Sequence, residues 1–314
     1  MSYAPAKIIL FGEHAVVYGQ PAIAVPFTAL RATATATPAP VGVGLTIIAG
    51  DVGQRLHIAS GADMLDNALA FAAELTLKHL SADPPDLTIN VQSTIPLASG
   101  LGSGAAVSAA LIRELSAALG APLEGAELNA LVYEVEKLHH GTPSGIDNTV
   151  IVKGAPVYFV RGQEPQAFEI GAALTFVIGD TGVQSSTREA VSGVRELYDN
   201  EPETYQGFFE EIGALVDEAR RHIEQGSIAD IGQLMNRNHH LLNLLTVSSP
   251  LLNTLVGAAR DGGALGAKLS GGGRGGNMIA LAEATTASKV AVALRTAGAV
   301  RTWTTILDKT LDKS

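Results

Sequence analysis

Two clusters of glycine, at 100–104 and 271–276, set the strongest constraint on how this 314-residue chain folds. Glycine tolerates backbone conformations that side chains forbid, so clustered glycines mark places where main chain turns tightly or approaches a ligand closely. The first cluster lies in Pro96-Leu97-Ala98-Ser99-Gly100-Leu101-Gly102-Ser103-Gly104-Ala105-Ala106 and runs directly into an apolar segment, 105–119. A segment apolar nearly all round reads as a buried helix. A glycine turn feeding a helix start gathers free N–H groups and the positive end of the helix dipole, which suits a phosphate. No Gly-Lys-Ser/Thr follows, so this is not a Walker A loop. Gly100, Gly102 and Ala105 fit G-x-G-x-x-A, yet the acidic strand end of a dinucleotide site is missing about 20 residues on. The alternative is a tight strand-to-helix connection.

The second cluster reads Lys268-Leu269-Ser270-Gly271-Gly272-Gly273-Arg274-Gly275-Gly276-Asn277. A hairpin needs only one or two glycines, so this richness points to ligand contact, with a flexible hairpin as the alternative.

The chain is longer than a single core usually grows, which predicts two domains, 1–165 and 166–314, divided at the polar stretch 161–166. A formal charge of −10 and no Lys/Arg run oppose a nucleic-acid partner. The absence of cysteine removes disulfides and thiolate chemistry. Charged residues or prolines interrupt every apolar run short of a membrane span, and no basic leader opens the chain, so a cytoplasmic enzyme without a membrane partner is expected.

Periodicity predicts an α+β chain. Strands are expected at 7–11, 15–19, 23–37, 86–92 and in two stretches of 149–160, then at 174–179, 266–270, 277–282 and 301–307. Helices are expected at 63–80, 105–119, 124–140, 186–198, 205–224, 228–245, 250–260 and 287–296. In 124–140 an apolar face of Leu128, Leu131, Val132, Val135 and Leu138 leaves Glu136 at its edge, partly buried.

Charged residues at three places stand out. Lys7 sits inside an apolar run ending in Gly12-Glu13-His14, and such a lysine needs a partner unless it snorkels to solvent. His139-His140-Gly141-Thr142-Pro143-Ser144-Gly145-Ile146-Asp147-Asn148 holds a carboxylate after a constrained loop, which positions side chains rigidly. The adjacent histidines lack metal-ligand spacing and read as packing or capping. Ser186 with Glu189 reads as a helix cap.

Taken in order, Pro5-Ala6-Lys7 with Gly12-Glu13-His14 and Gly19, the first glycine turn, and Lys268-Leu269-Ser270-Gly271 resemble three motifs of one superfamily. That superfamily is named for galactokinase, homoserine kinase, mevalonate kinase and phosphomevalonate kinase (GHMP). Gly12-Glu13-His14-Ala15-Val16-Val17-Tyr18-Gly19, the loop before Asn148 and the stretch 236–250 look most like its mevalonate kinase family.

The resemblance implies an N-terminal domain like domain 2 of ribosomal protein S5 and a ferredoxin-like C-terminal domain. It also implies ATP and Mg²⁺ as cofactors, mevalonate as acceptor, and a homodimer as one assembly open to the family. Carried over by position, Asp147 is the catalytic carboxylate and Lys7 its partner. Glu13 and His14 line the acceptor, and Glu136 holds Mg²⁺. Pro96, Ala98, Ser99, Gly100, Leu101, Gly102, Ser103, Gly104, Ala105 and Ala106, with Gly271 and Gly272, enclose the triphosphate. The family's second consecutive serine, a metal ligand, is Gly104 here, which leaves Ser103 or water to fill that role. The alternatives are a sister kinase acting on phosphomevalonate, galactose or homoserine, a related decarboxylase, or a silent metabolite sensor.

Overall fold

The computed structural model describes residues 1–58, 67–97, 99–140 and 143–308, with only the backbone of His139 and His140. Contacts divide the chain into two compact units that do not follow a single cut at 165/166. One holds Met1–Lys7, Leu30–Leu97 and Gly102–Gly154, and the other Ile8–Ala29, Ala98–Leu101 and Ala155–Ser314.

In the first unit, β2 (Ala22–Pro38) contributes its second half to a sheet ordered β4-β3-β5-β2. Here β3 is Leu45–Ala49, β4 Gln54–Ile58 and β5 Leu87–Ser93; β3 and β5 run parallel, the other pairs antiparallel. Neither β3 nor β4 is anticipated by the periodicity, because each is only five residues long and β4 alternates weakly. Helices α1 (Ala68–His79), α2 (Ser103–Ala118), α3 (Gly125–His140) and α4 (Ile146–Lys153) pack on one another. Asn67 caps α1, its Oδ1 accepting from the N–H groups of Leu69 and Ala70. The stretch 63–66 of the expected first helix lies outside the described residues.

The segment 146–153 corrects the expectation of a strand at 149. Its β-branched residues favour a strand, but Val150 and Ile151 are fully buried on a helix bracketed by Gly145 and Gly154 in left-handed conformation. Tertiary burial outweighs propensity here. Only the second expected stretch forms a strand, β6 (Val157–Phe159).

In the second unit, the first half of β2 pairs with β6, and β6 with the two-residue β7 (Gln166–Ala167). The strand β1 (Ser2–Phe11) enters from the first unit. The expected strand at 15–19 is a 3₁₀ turn, Ala15–Tyr18. Gly12 and His14 both take positive φ, so the next N–H groups find local carbonyls, Val16 to Gly12 and Val17 to His14.

A separate four-stranded sheet uses β8 (Leu174–Asp180), β9 (Gly266–Ser270), β10 (Asn277–Ala282) and β11 (Arg301–Leu307). Helices α5 (Thr187–Asn200), α6 (Pro202–Gln225), α7 (Ile228–Leu244) and α8 (Pro250–Asp261) lie between β8 and β9, and α9 (Ala287–Thr296) between β10 and β11. The order β11-β8-β10-β9, all antiparallel, is the split βαββαβ arrangement expected of a ferredoxin-like domain. Ser186 does cap α5, its hydroxyl oxygen accepting from the Glu189 N–H at 3.2 Å.

Candidate active site

Within the first unit, β1 delivers Lys7 and the first turn of α4 delivers Asp147. Lys7 Nζ lies 2.9 Å from Asp147 Oδ1. The lysine side chain is 4% exposed, which rules out snorkelling, whereas that of Asp147 retains 30%. The aspartate can therefore meet a ligand while its partner stays in the core. Gly102 makes room for this pair. A Cβ there would stand 2.8 Å from Ile151 Cδ1 and 2.9 Å from Lys7 Cγ, and its φ of +76° is itself one that side chains rarely adopt.

Glu136, on α3, is buried outright rather than partly. Burial first, and then the nearby Asp147 charge, push its carboxyl up to about 7, against the pull of Lys7. A buried carboxyl next to another carboxylate is poised to gain from a cation.

The first glycine turn ends at Gly102, the N-cap of α2, which has no side chain to cap the free N–H groups. The first helical bond runs from Ala106 N–H to Gly102 carbonyl, so the amides of Ser103, Gly104 and Ala105 lie outside the helix ladder. Ala105 and Ala106 are fully buried, Ser103 is half-buried and Gly104 exposed. Ala98 lies outside the described residues. Pro96 and Leu97 lead into the turn from the end of β5.

In the second unit, Ser99, Gly100 and Leu101 meet the other glycine cluster. Asn277 Nδ2 donates to the Ser99 carbonyl, and a Cβ on Gly271 would lie 3.7 Å from the Gly100 carbonyl oxygen. Gly100 and Gly271, 171 residues apart in sequence, are thus adjacent in space.

Glu13 and His14 also belong to the second unit and are both buried. Glu13 pairs with Lys268, which is fully buried on β9 and donates a second bond to the Leu269 carbonyl at 2.8 Å. Burial lowers the Lys268 pKa, while Glu13 opposes that shift. His14 Nε2 lies 3.0 Å from the Gly272 carbonyl oxygen. A carbonyl only accepts, so Nε2 carries the proton and Nδ1 is left as an acceptor. That Nδ1 is buried and has no hydrogen-bond partner among the described residues. Burial, aided by Arg274 and Lys268, holds His14 neutral with a pKa lowered to about 4.

The sequence motifs assign no role to Lys268 or His239. His239 accepts from the Leu269 N–H at 3.3 Å through Nδ1 and meets Asn253 Oδ1 at 3.1 Å through Nε2, supporting the strand that carries Lys268. The available signal was a lysine inside an apolar strand, the same one that exposed Lys7. The side chains of His139 and His140 lie outside the described residues, and no group of three or more His, Cys, Asp or Glu side chains able to hold a metal occurs among the described residues. No described helix is long and apolar enough to cross a membrane.

Known proteins resemble this chain over nearly its whole length. Residues 67–154 match the GHMP kinases N terminal domain, and residues 210–300 the GHMP kinases C terminal domain. A mevalonate kinase of Pyrococcus horikoshii is 39% identical over 96% of this chain and 93% of its own. The crystal structure of L. major mevalonate kinase in complex with R-mevalonate superposes with a TM-score of 0.86 at 28% identity, covering 98% of this chain and 96% of that one. The Methanococcus jannaschii mevalonate kinase gives 0.83 at 27% identity, over 96% of each chain. The α+β architecture is the two-domain GHMP kinase fold.

Proposed function

The chain belongs to the mevalonate kinase family of the GHMP kinases, and from that membership we propose that it transfers the γ-phosphoryl group of ATP to the primary hydroxyl of mevalonate. The observation that carries this reading is the buried Lys7 held against a solvent-reachable Asp147. In the proposed step the acceptor oxygen bonds to the γ-phosphorus, the bond to the β-phosphate oxygen breaks, ADP leaves, and the hydroxyl proton passes to Asp147. Lys7 keeps that carboxylate oriented and offsets negative charge on the attacking oxygen. Phosphoryl transfer asks for alignment and charge neutralisation more than covalent chemistry, which this pair and the N–H groups of the two glycine turns are suited to supply beside a bound cation.

Glu13 and His14 are assigned to the acceptor. His14 Nδ1, buried and unused, is suited to accept from a substrate hydroxyl. A divalent cation, Mg²⁺ in this family, fits the chemistry of the donors, because the Glu136 carboxyl is buried and lies close enough to the Asp147 charge to be raised by it. Glu136 would hold it, with Ser103 as a candidate second ligand. When bound, the ion would neutralise charge on the triphosphate.

The test is ATP-dependent consumption of mevalonate, followed by coupled ADP detection, beside phosphomevalonate, galactose and homoserine. Turnover with mevalonate alone supports the assignment; preference for another acceptor, or ATP binding without turnover of any, refutes it.

A further inference from the structure

We infer that Asn129 is a positioning residue that sets the rotation of α4, and through it the placement of the Asp147 carboxylate against Lys7. The inference rests on the reading of Asp147 as the group that receives the acceptor's proton.

Asn129 and Glu136 are seven residues apart on α3, which places them on one stripe of the helix, about 10 Å apart along its axis. Asn129 faces α4. Its Oδ1 accepts from Asn148 Nδ2 at 2.7 Å, and its Nδ2 approaches Thr149 Oγ1 at 3.5 Å. Thr149 spends its own hydroxyl proton on the Gly145 carbonyl at 2.7 Å. The Thr149 oxygen must then act as acceptor, which turns Asn129 Oδ1 toward Asn148 and requires Asn148 to present its amide N–H. One side chain of α3 thus contacts two successive side chains of α4.

Those two residues directly follow Asp147. Successive side chains on a helix diverge by about 100°, so a clasp on 148 and 149 fixes the direction in which 147 points. Asn148 is only 2% exposed, which makes loss of its partner costly to the local arrangement. A second tie from α3, Tyr133 Oη donating to the Pro143 carbonyl at 3.4 Å, holds the loop before α4 but reaches neither Asn148 nor Thr149. Arg113 of α2 donates to the Val152 carbonyl at 2.9 Å and so ties the far end of α4, and the buried Val150 and Ile151 fix its depth; at the first turn, which carries Asp147, the side-chain clasp from α3 is that of Asn129.

The experiment has two arms. In the first, the crystal structure of N129A, solved without substrate, is expected to show Asp147 out of hydrogen-bond reach of Lys7 Nζ with α3 unmoved. In the second, kcat of N129A is expected to fall on the order of 10- to 100-fold while KM for ATP and for the acceptor stays within about twofold. N148A should match it, the N129A/N148A double variant should lose little more, and N129D, which keeps an acceptor oxygen for Asn148, should recover to within about threefold. A merely structural role would lower the folded fraction without this split or this rescue. If N129A does not fold, Asn129→Ser, too short to reach Asn148, takes its place.

The inference is overturned if Asp147 stays on Lys7 in the variant crystal structure, if kcat is unchanged, or if the two single losses multiply. Should the parent enzyme phosphorylate none of the acceptors, the assignment of function fails and the crystallographic arm alone decides this inference.

Discussion

Lys7 and Asp147, 140 residues apart in the chain, meet at 2.9 Å with the lysine enclosed and the aspartate open to a ligand. The asymmetry matters because a charged amine without a partner in a strand core would be expelled or neutralised. Lys7 is tolerated where it lies because Asp147 is there, and Asp147 gains a fixed cation that it could not retain in water.

Replacing Asp147 by Asn should lower kcat by about 10²- to 10⁴-fold, the range for loss of a positioned proton acceptor, with KM for ATP little changed. Steady-state kinetics with ADP detection measure it. Lys7→Met should lower kcat and destabilise the fold as well, since the aspartate then loses its partner. A D147N enzyme of near-parental kcat would remove Asp147 from the mechanism.

Gly102→Ala and Gly100→Ala should separate two effects of glycine. Both positions have φ near +77°, so each alanine costs about 1–2 kcal/mol of backbone strain. At Gly100 a Cβ meets nothing within 4 Å, but at Gly102 it runs into Ile151 and Lys7. Urea denaturation should therefore show a larger loss for G102A, and only G102A should lose kcat through displacement of Lys7.

Lys268→Met should destabilise the chain by about 3–5 kcal/mol, because it removes the cation paired with the buried carboxylate of Glu13. Adding Glu13→Gln to K268M should recover most of that loss in chemical denaturation, although acceptor binding stays weak. A double variant no more stable than K268M would mean that Glu13 is not what Lys268 serves.

Acid should destabilise the fold through His14 and His239, both held at about 4 by burial. The unfolded chain takes up their protons near pH 6.5 and the folded chain does not. Their stabilisation is thus complete above pH 6.5 and is lost as pH falls toward 4, at about 1.4 kcal/mol per pH unit for each. Glu136, pushed up to about 7, contributes with the opposite sign, its stabilisation being lost as pH rises toward 7. His239→Gln should remove one histidine's share, measured as a shallower fall in stability between pH 6.5 and 4.5.

Glu136→Gln should stabilise the metal-free protein above pH 7, since it removes a buried charge, and should raise the Mg²⁺ concentration needed for half-maximal activity at least tenfold. Thermal melts in chelator and Mg²⁺ titrations of the rate check the two halves separately.

The sequence by itself determined the glycine turns, the order of the motifs and most of the elements. The reasons are local: glycine content, apolar period, and caps such as Ser186, whose hydroxyl is read off its spacing to Glu189. Lys7 was conspicuous for the same reason, as a charge in a run that had no place for one. Local signals failed where neighbours elsewhere in the chain prevailed. The β-branched residues of 146–153 form a helix because their burial demands it, and 15–18 turns because Gly12 and His14 redirect the chain. The resemblance already implied Lys7 as the partner of Asp147, but the other polar pairings were decided by the tertiary structure alone. Lys268 meets Glu13 across most of the chain, and Asn129 meets Asn148 from one helix to the next. Their energies come from desolvation and distance, and neither quantity exists until the chain has folded.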